Sequence, residues 1–104
     1  MAPRRVASLQ DLWSGEKVGL TVDGTRVLLV NLEGRVYAFE DRCPHLGLPL
    51  SDGLLDGSRL TCRGHHWQYD VCTGQGVNPA ATRLRSVPVR VEDDQVLVDV
   101  ERLG

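Results

Sequence analysis

Two short clamps constrain this chain more than any other feature: Cys43-Pro44-His45 and Cys62-Arg63-Gly64-His65, with sixteen residues between them. Each clamp puts one thiol and one imidazole into a stretch too short for a regular element. Pro44, Gly47, Pro49 and Gly64 surround them, and these residue types shape tight loops rather than strand interiors. Two such loops facing each other supply two soft sulfur donors and two neutral nitrogen donors, enough to hold a metal centre between them. A fold that carries them therefore presents two loops side by side on a rigid framework.

The donor set admits two readings. Tetrahedral zinc accepts two Cys and two His, but its common modules group like ligands, C-x2–4-C followed by H-x3–5-H. Here the ligand types are mixed within each clamp, which disfavours zinc without removing it. The split fits a [2Fe–2S] cluster in which the cysteines bind one iron and the histidines the other. The pattern C-x-H, sixteen residues, C-x-x-H resembles the Rieske iron–sulfur family from about Val18 to Val100. That resemblance implies cluster ligation by Cys43, His45, Cys62 and His65, on loops at about 43–49 and 62–67. It also implies a β-sandwich base with a small cluster-binding subdomain.

A chain of 104 residues is expected to be one domain, 1–104, too small for a core plus a separate catalytic unit. Large Rieske oxygenases add a mononuclear iron held by two histidines and a carboxylate. Of the three histidines here the cluster would use two, and His66 alone cannot build that second site. An electron carrier with no catalytic site of its own is expected. Twelve basic against fourteen acidic side chains point to neither nucleic acid nor an anionic membrane. No apolar run approaches a bilayer span, and the segment after Arg4-Arg5 lacks the apolar core of a signal peptide. A cytoplasmic location is expected, in keeping with Cys72 as a single leftover cysteine.

Short apolar runs punctuated by turn residues indicate an all-β sandwich or barrel, and the Rieske resemblance implies the antiparallel β-sandwich. Lys17 to Val22, Arg26 to Leu32 and Arg35 to Phe39 are joined through Asp23-Gly24 and Glu33-Gly34, both suited to tight hairpins. Leu54-Leu55 and Arg59 to Thr61 flank Asp56-Gly57. Trp67 to Asp70 and Val87 to Val91 follow, and Gln95 to Val100 closes the sheet with Val96, Val98 and Val100 on one face. Ser8 and Asp11 are positioned to cap one helical turn that packs Leu9, Leu12 and Trp13. The clamps are expected in the connections of the central hairpins.

Comparison with high-potential Rieske proteins places Leu48 and Gly64 where those carry an inter-loop disulfide, and Trp67 where they carry a serine that donates to a cluster sulfur. Tyr69 keeps the tyrosine position. A missing donor near reduced sulfur disfavours reduction, so a potential at the low end of about −150 to +300 mV is expected. His66 replaces the family's usual glycine after the last ligand and is expected to be an exposed polar residue. Trp67 is expected to pack beneath the cluster, and Cys72 to be a small buried hydrophobe.

His66-Trp67-Gln68-Tyr69, the Thr73 to Pro79 run and Leu9 to Glu16 resemble the ferredoxins of multicomponent monooxygenases for toluene and related aromatics or alkenes. This implies electrons taken from an NADH-dependent flavin reductase and passed to a diiron hydroxylase. Two alternatives are a ferredoxin of an aromatic-ring-hydroxylating dioxygenase and a small Rieske subunit of a reductase such as nitrite reductase.

Overall fold

A computed structural model describes residues 3–44, 47–64, 66–78 and 82–100. Ten strands follow in order: β1 (Arg4–Ser8), β2 (Lys17–Val22), β3 (Thr25–Leu32), β4 (Arg35–Glu40), β5 (Leu54–Asp56), β6 (Arg59–Thr61), β7 (Gln68–Asp70), β8 (Gly76–Asn78), β9 (Val89–Glu92) and β10 (Gln95–Val98). A short 3-10 turn, Leu50–Asp52, leads into β5. All pairings are antiparallel, in three sheets ordered β1-β10-β9, β2-β3-β4 and β5-β6-β7-β8. Among the described residues no helix is long and apolar enough to cross a membrane.

The middle sheet organises the rest. Val27-Leu28-Leu29-Val30 in β3 is a continuous apolar run, and all four side chains are fully buried. Successive side chains of a strand point to opposite faces, so the run feeds two cores. Val27 and Leu29 pack with Val96, Val98 and Val100 beneath the β1-β10-β9 sheet. Leu28 and Val30 pack with Phe39, Leu60, Tyr69, Val71, Cys43 and Cys62 beneath the four-stranded sheet. The sheet that carries the second clamp therefore rests on one face of β2-β3-β4, and the sheet that closes the chain covers the other.

Turn chemistry fixes the hairpins. Asp23 and Gly24 take φ of +50° and +83°, and Glu33 and Gly34 take +55° and +88°, the paired left-handed conformation whose twist matches flanking antiparallel strands. Asn31, buried at the end of β3, donates from Nδ2 to the Leu12 carbonyl (2.7 Å) and accepts from the Gly34 N–H at Oδ1 (2.9 Å), tying the 9–16 loop to the β3–β4 turn.

Three expectations need correction. Residues 9–12 form successive turns rather than a capped helix: Asp11 N–H reaches the Ser8 carbonyl at 2.9 Å and Leu12 N–H the Leu9 carbonyl at 3.4 Å. Leu12 is buried, but Trp13 is 68% exposed, because its indole N–H is held outward by the Gln10 carbonyl at 2.7 Å. Only the second clamp falls in a hairpin connection, β6–β7; the first lies on the passage from β4 to β5, from one sheet to the next.

Candidate metal centre

Cys43 and Cys62 are fully buried members of one core, and their loops are built alike. Cys43 N–H donates to the Leu48 carbonyl (2.8 Å) while the Cys43 carbonyl accepts from Gly47 N–H (2.8 Å). Cys62 repeats this with the Trp67 carbonyl (2.7 Å) and His66 N–H (2.9 Å). In both loops the residue four places after the cysteine is left-handed: Gly47 at φ +74° and His66 at +62°. Each cysteine thus closes a six-residue ring, with the histidine of its clamp inside that ring in sequence. His45 and His65 themselves lie outside the described residues, as does Leu46.

The loops touch at their tips. A Cβ built on Gly64 would stand 2.2 Å from Leu48 Cδ1, so the leucine fills the space that glycine leaves. These are the two positions at which the high-potential proteins carry a disulfide, and here an apolar contact joins the loops instead.

Tyr69 lies against the first of the two sulfurs. Its hydroxyl is 3.8 Å from Cys43 Sγ, and both cysteines act electrostatically on the phenol. Burial first, then the Cys43 contact, push its pKa well above the usual tyrosine value; a hydrogen bond with the Thr82 side chain works in the opposite direction. The phenol therefore stays protonated and available as a donor to sulfur.

The first loop is anchored by a residue that the motifs do not single out. Asp41, two residues before Cys43, has a wholly buried carboxylate that accepts from Ser51 N–H and Ser51 Oγ, both at 2.8 Å, and from Arg26 at 3.3 Å. Both ends of the loop are thereby clamped to one carboxylate. Its signal in the sequence is indirect: Gly19 in β2 faces it, and a Cβ there would fall 2.6 Å from Asp41 Oδ2 and Ser51 Oγ.

His66 is exposed, as expected, and its left-handed backbone explains why glycine is usual at that position. Trp67 is partly buried and packs on the core that holds both cysteines. Cys72 is exposed, contrary to expectation. It sits in the turn after β7, where its N–H donates to Asp70 Oδ1 at 2.8 Å, and contact with its sulfur holds the Tyr37 phenol above the usual value.

Two buried thiols on matched loops, with a protonated phenol against one of them, fit the sulfur half of an iron–sulfur site. The family model of the Rieske [2Fe-2S] domain matches residues 3–88. The chain belongs to the Rieske family. It is 42% identical over 99 residues to the ferredoxin component of the alkene monooxygenase system of Xanthobacter autotrophicus, covering 94% of this chain and 81% of that one. Its fold matches the ferredoxin of carbazole 1,9a-dioxygenase from Nocardioides aromaticivorans IC177 at a TM-score of 0.86 and 32% identity, over 94% of this chain and 97% of that one. It also matches a chain in a complex of reduced oxygenase and oxidised ferredoxin of a carbazole 1,9a-dioxygenase, at a TM-score of 0.85 and 28% identity, covering 92% and 91%. This Rieske chain carries one [2Fe–2S] cluster, and the zinc alternative falls. When bound, the cluster accepts and returns one electron, and substituting neutral imidazole for thiolate makes reduction easier than in an all-cysteine centre.

Proposed function

We propose that this protein is a Rieske ferredoxin that forms a single unit over residues 1–104 and carries single electrons in an oxygenase system. Cys43 and Cys62 ligate one iron of the cluster, and His45 and His65 ligate the other. The observation that carries this reading is the repeated ring in which each buried cysteine is closed by the same pair of backbone hydrogen bonds, with the clamp histidine inside it. In the described residues, the protein's part in the chemistry is to exclude water from the sulfurs, to hold the loops in register through Asp41 and the Leu48–Gly64 contact, and to keep a proton on Tyr69. No catalytic residue is assigned; substrate is oxidised on the partner.

The donor is an NADH-dependent flavin reductase and the acceptor is the diiron hydroxylase of an aromatic or alkene monooxygenase. Likeness to the alkene monooxygenase ferredoxin supports the acceptor, together with the Trp67 and Gly76-Val77-Asn78-Pro79 features; Pro79 lies outside the described residues. The protein acts in the cytoplasm, where Cys72 remains a free thiol. The second reading, a ferredoxin of a ring-hydroxylating dioxygenase, is favoured by the fold match to the carbazole dioxygenase ferredoxin. Reductase, this protein, each candidate oxygenase, NADH and substrate are combined, omitting one component at a time. Product formation that requires this protein with the diiron hydroxylase upholds the first reading. Dependence with the dioxygenase alone establishes the second.

A further inference from the structure

The chain is slightly acidic, with a net charge of −2, yet the surface beside the first cluster loop is basic. A cleft of about 320 Å3 there is lined by Arg42, Arg83, Arg85, Glu40 and Pro44, three guanidiniums against one carboxylate. Each arginine is presented outward for a definite reason. Arg83 and Arg85 flank Leu84, which is buried, so alternation along this extended stretch turns both guanidiniums to solvent. The stretch is held against β4 by the Glu40 N–H to Arg85 carbonyl bond (2.8 Å) and the Phe39–Ser86 bridge. Arg42 immediately precedes Cys43, and its guanidinium lies over the cluster loop: a Cβ on Gly47 would be 3.1 Å from Arg42 Nε.

Among the described residues the ion pairs are Arg4–Asp23, Arg26–Asp41 and Arg90–Glu92, so none of the three cleft arginines is neutralised by one. The acidic Glu92-Asp93-Asp94 turn belongs to the β1-β10-β9 sheet, on the other side of the middle sheet. Positive charge is therefore gathered beside the loop that holds Cys43, while the Asp93-Asp94 turn lies between the strands of another sheet. Such a distribution steers a partner of opposite sign and orients the encounter.

We propose that the Arg42, Arg83 and Arg85 face is the docking surface for a carboxylate-rich patch on the oxygenase component that accepts the electron. This rests on the carrier reading above. The cleft continues into the cluster loop through Pro44, so a partner whose carboxylates meet these guanidiniums is brought against the loop that holds Cys43.

The test follows transfer from the reduced holoprotein to a diiron hydroxylase and to a ring-hydroxylating dioxygenase by stopped flow at low ionic strength. R83E/R85E should slow transfer to the accepting oxygenase about tenfold or more, converging on wild type as salt shortens the screening length. R83K/R85K should keep the wild-type rate, and so should D93N/D94N on the far sheet. Midpoint potentials measured for each variant separate docking from driving force. A second readout needs no protein partner: oxidation by ferricyanide, an anion, should slow with added salt in the wild type, oxidation by hexaamminecobalt(III), a cation, should accelerate, and R83E/R85E should weaken or invert both trends. Equal rates for wild type and R83E/R85E toward an oxygenase that accepts electrons would overturn the proposal, as would inverted salt trends in the wild type. Transfer from wild type to neither oxygenase would overturn the carrier reading and the proposed partner with it.

Discussion

Gly19 lacks a side chain because the buried Asp41 carboxylate and Ser51 hydroxyl occupy the space one would need. Gly19→Ala forces that network apart, and overpacking of this kind costs about 1–3 kcal/mol. Thermal unfolding of the holoprotein should show a midpoint lowered by at least about 5 °C, with earlier loss of the visible spectrum. His66 poses the opposite problem, since its left-handed backbone is unfavourable for any L residue with a side chain, by about 1–2 kcal/mol. His66→Gly should leave the spectrum unchanged and the thermal midpoint equal or higher, whereas His66→Val, β-branched at positive φ, should lower it. If glycine bleached the centre, the imidazole rather than the backbone would be what matters there. Tyr69 is read through two measurements. Removing its hydroxyl donor in Tyr69→Phe should lower the reduction potential by up to about 60 mV, the one-electron equivalent of a factor of ten. Because its folded pKa lies above the unfolded value, the native state holds a proton that the unfolded chain releases above about pH 10. Stability should fall as pH rises beyond that point, less steeply in Tyr69→Phe.

The two clamp loops work as a pair at the scale of elements. Leu48 on the first occupies the space above Gly64 on the second, leaving 2.2 Å between Leu48 Cδ1 and any Cβ at 64. Gly64→Ala should wedge the loops apart and speed cluster loss to a chelator, Leu48→Ala should open a gap, and the double variant should lose its cluster more slowly than the sum of the single effects implies. Strict additivity would mean that the loops do not bear on each other here. The hairpins were legible because Asp23-Gly24 and Glu33-Gly34 separate alternating or continuous apolar runs. The strands that sequence reasoning missed share a different character. Arg4–Ser8 has no strong β pattern and is held by pairing with Gln95–Val98, at the far end of the chain. Gly76–Asn78 sets a single Val77 between Gly and Asn, which are depleted in strands; its pairing with β7 completes the strand. Cys72 was misread for a related reason: a cysteine's usual burial says nothing about a turn whose Asp70 side chain caps the backbone and leaves the thiol outside.

For the whole molecule, the middle sheet is buried on both faces and separates a structural half from a half built around the two cysteines. That division could be anticipated from the fourfold apolar run in β3 and from the clamps, because local pattern and ligand spacing are both written in contiguous residues. The Asp41 anchor and the basic face were not legible, since they join side chains from segments far apart in sequence. If Cys43, His45, Cys62 and His65 together hold the cluster, as proposed, the centre survives loss of Cys72 but of none of these four side chains. The most direct measurement is iron and acid-labile sulfide content with the visible spectrum, taken on the wild type and on single variants purified alike. Two irons and two sulfides per chain are expected in the wild type, with loss of the native centre in Cys43→Ser, His45→Ala, Cys62→Ser and His65→Ala, and its retention in Cys72→Ala. An unchanged spectrum in His45→Ala or His65→Ala, or its loss in Cys72→Ala, would contradict the assignment.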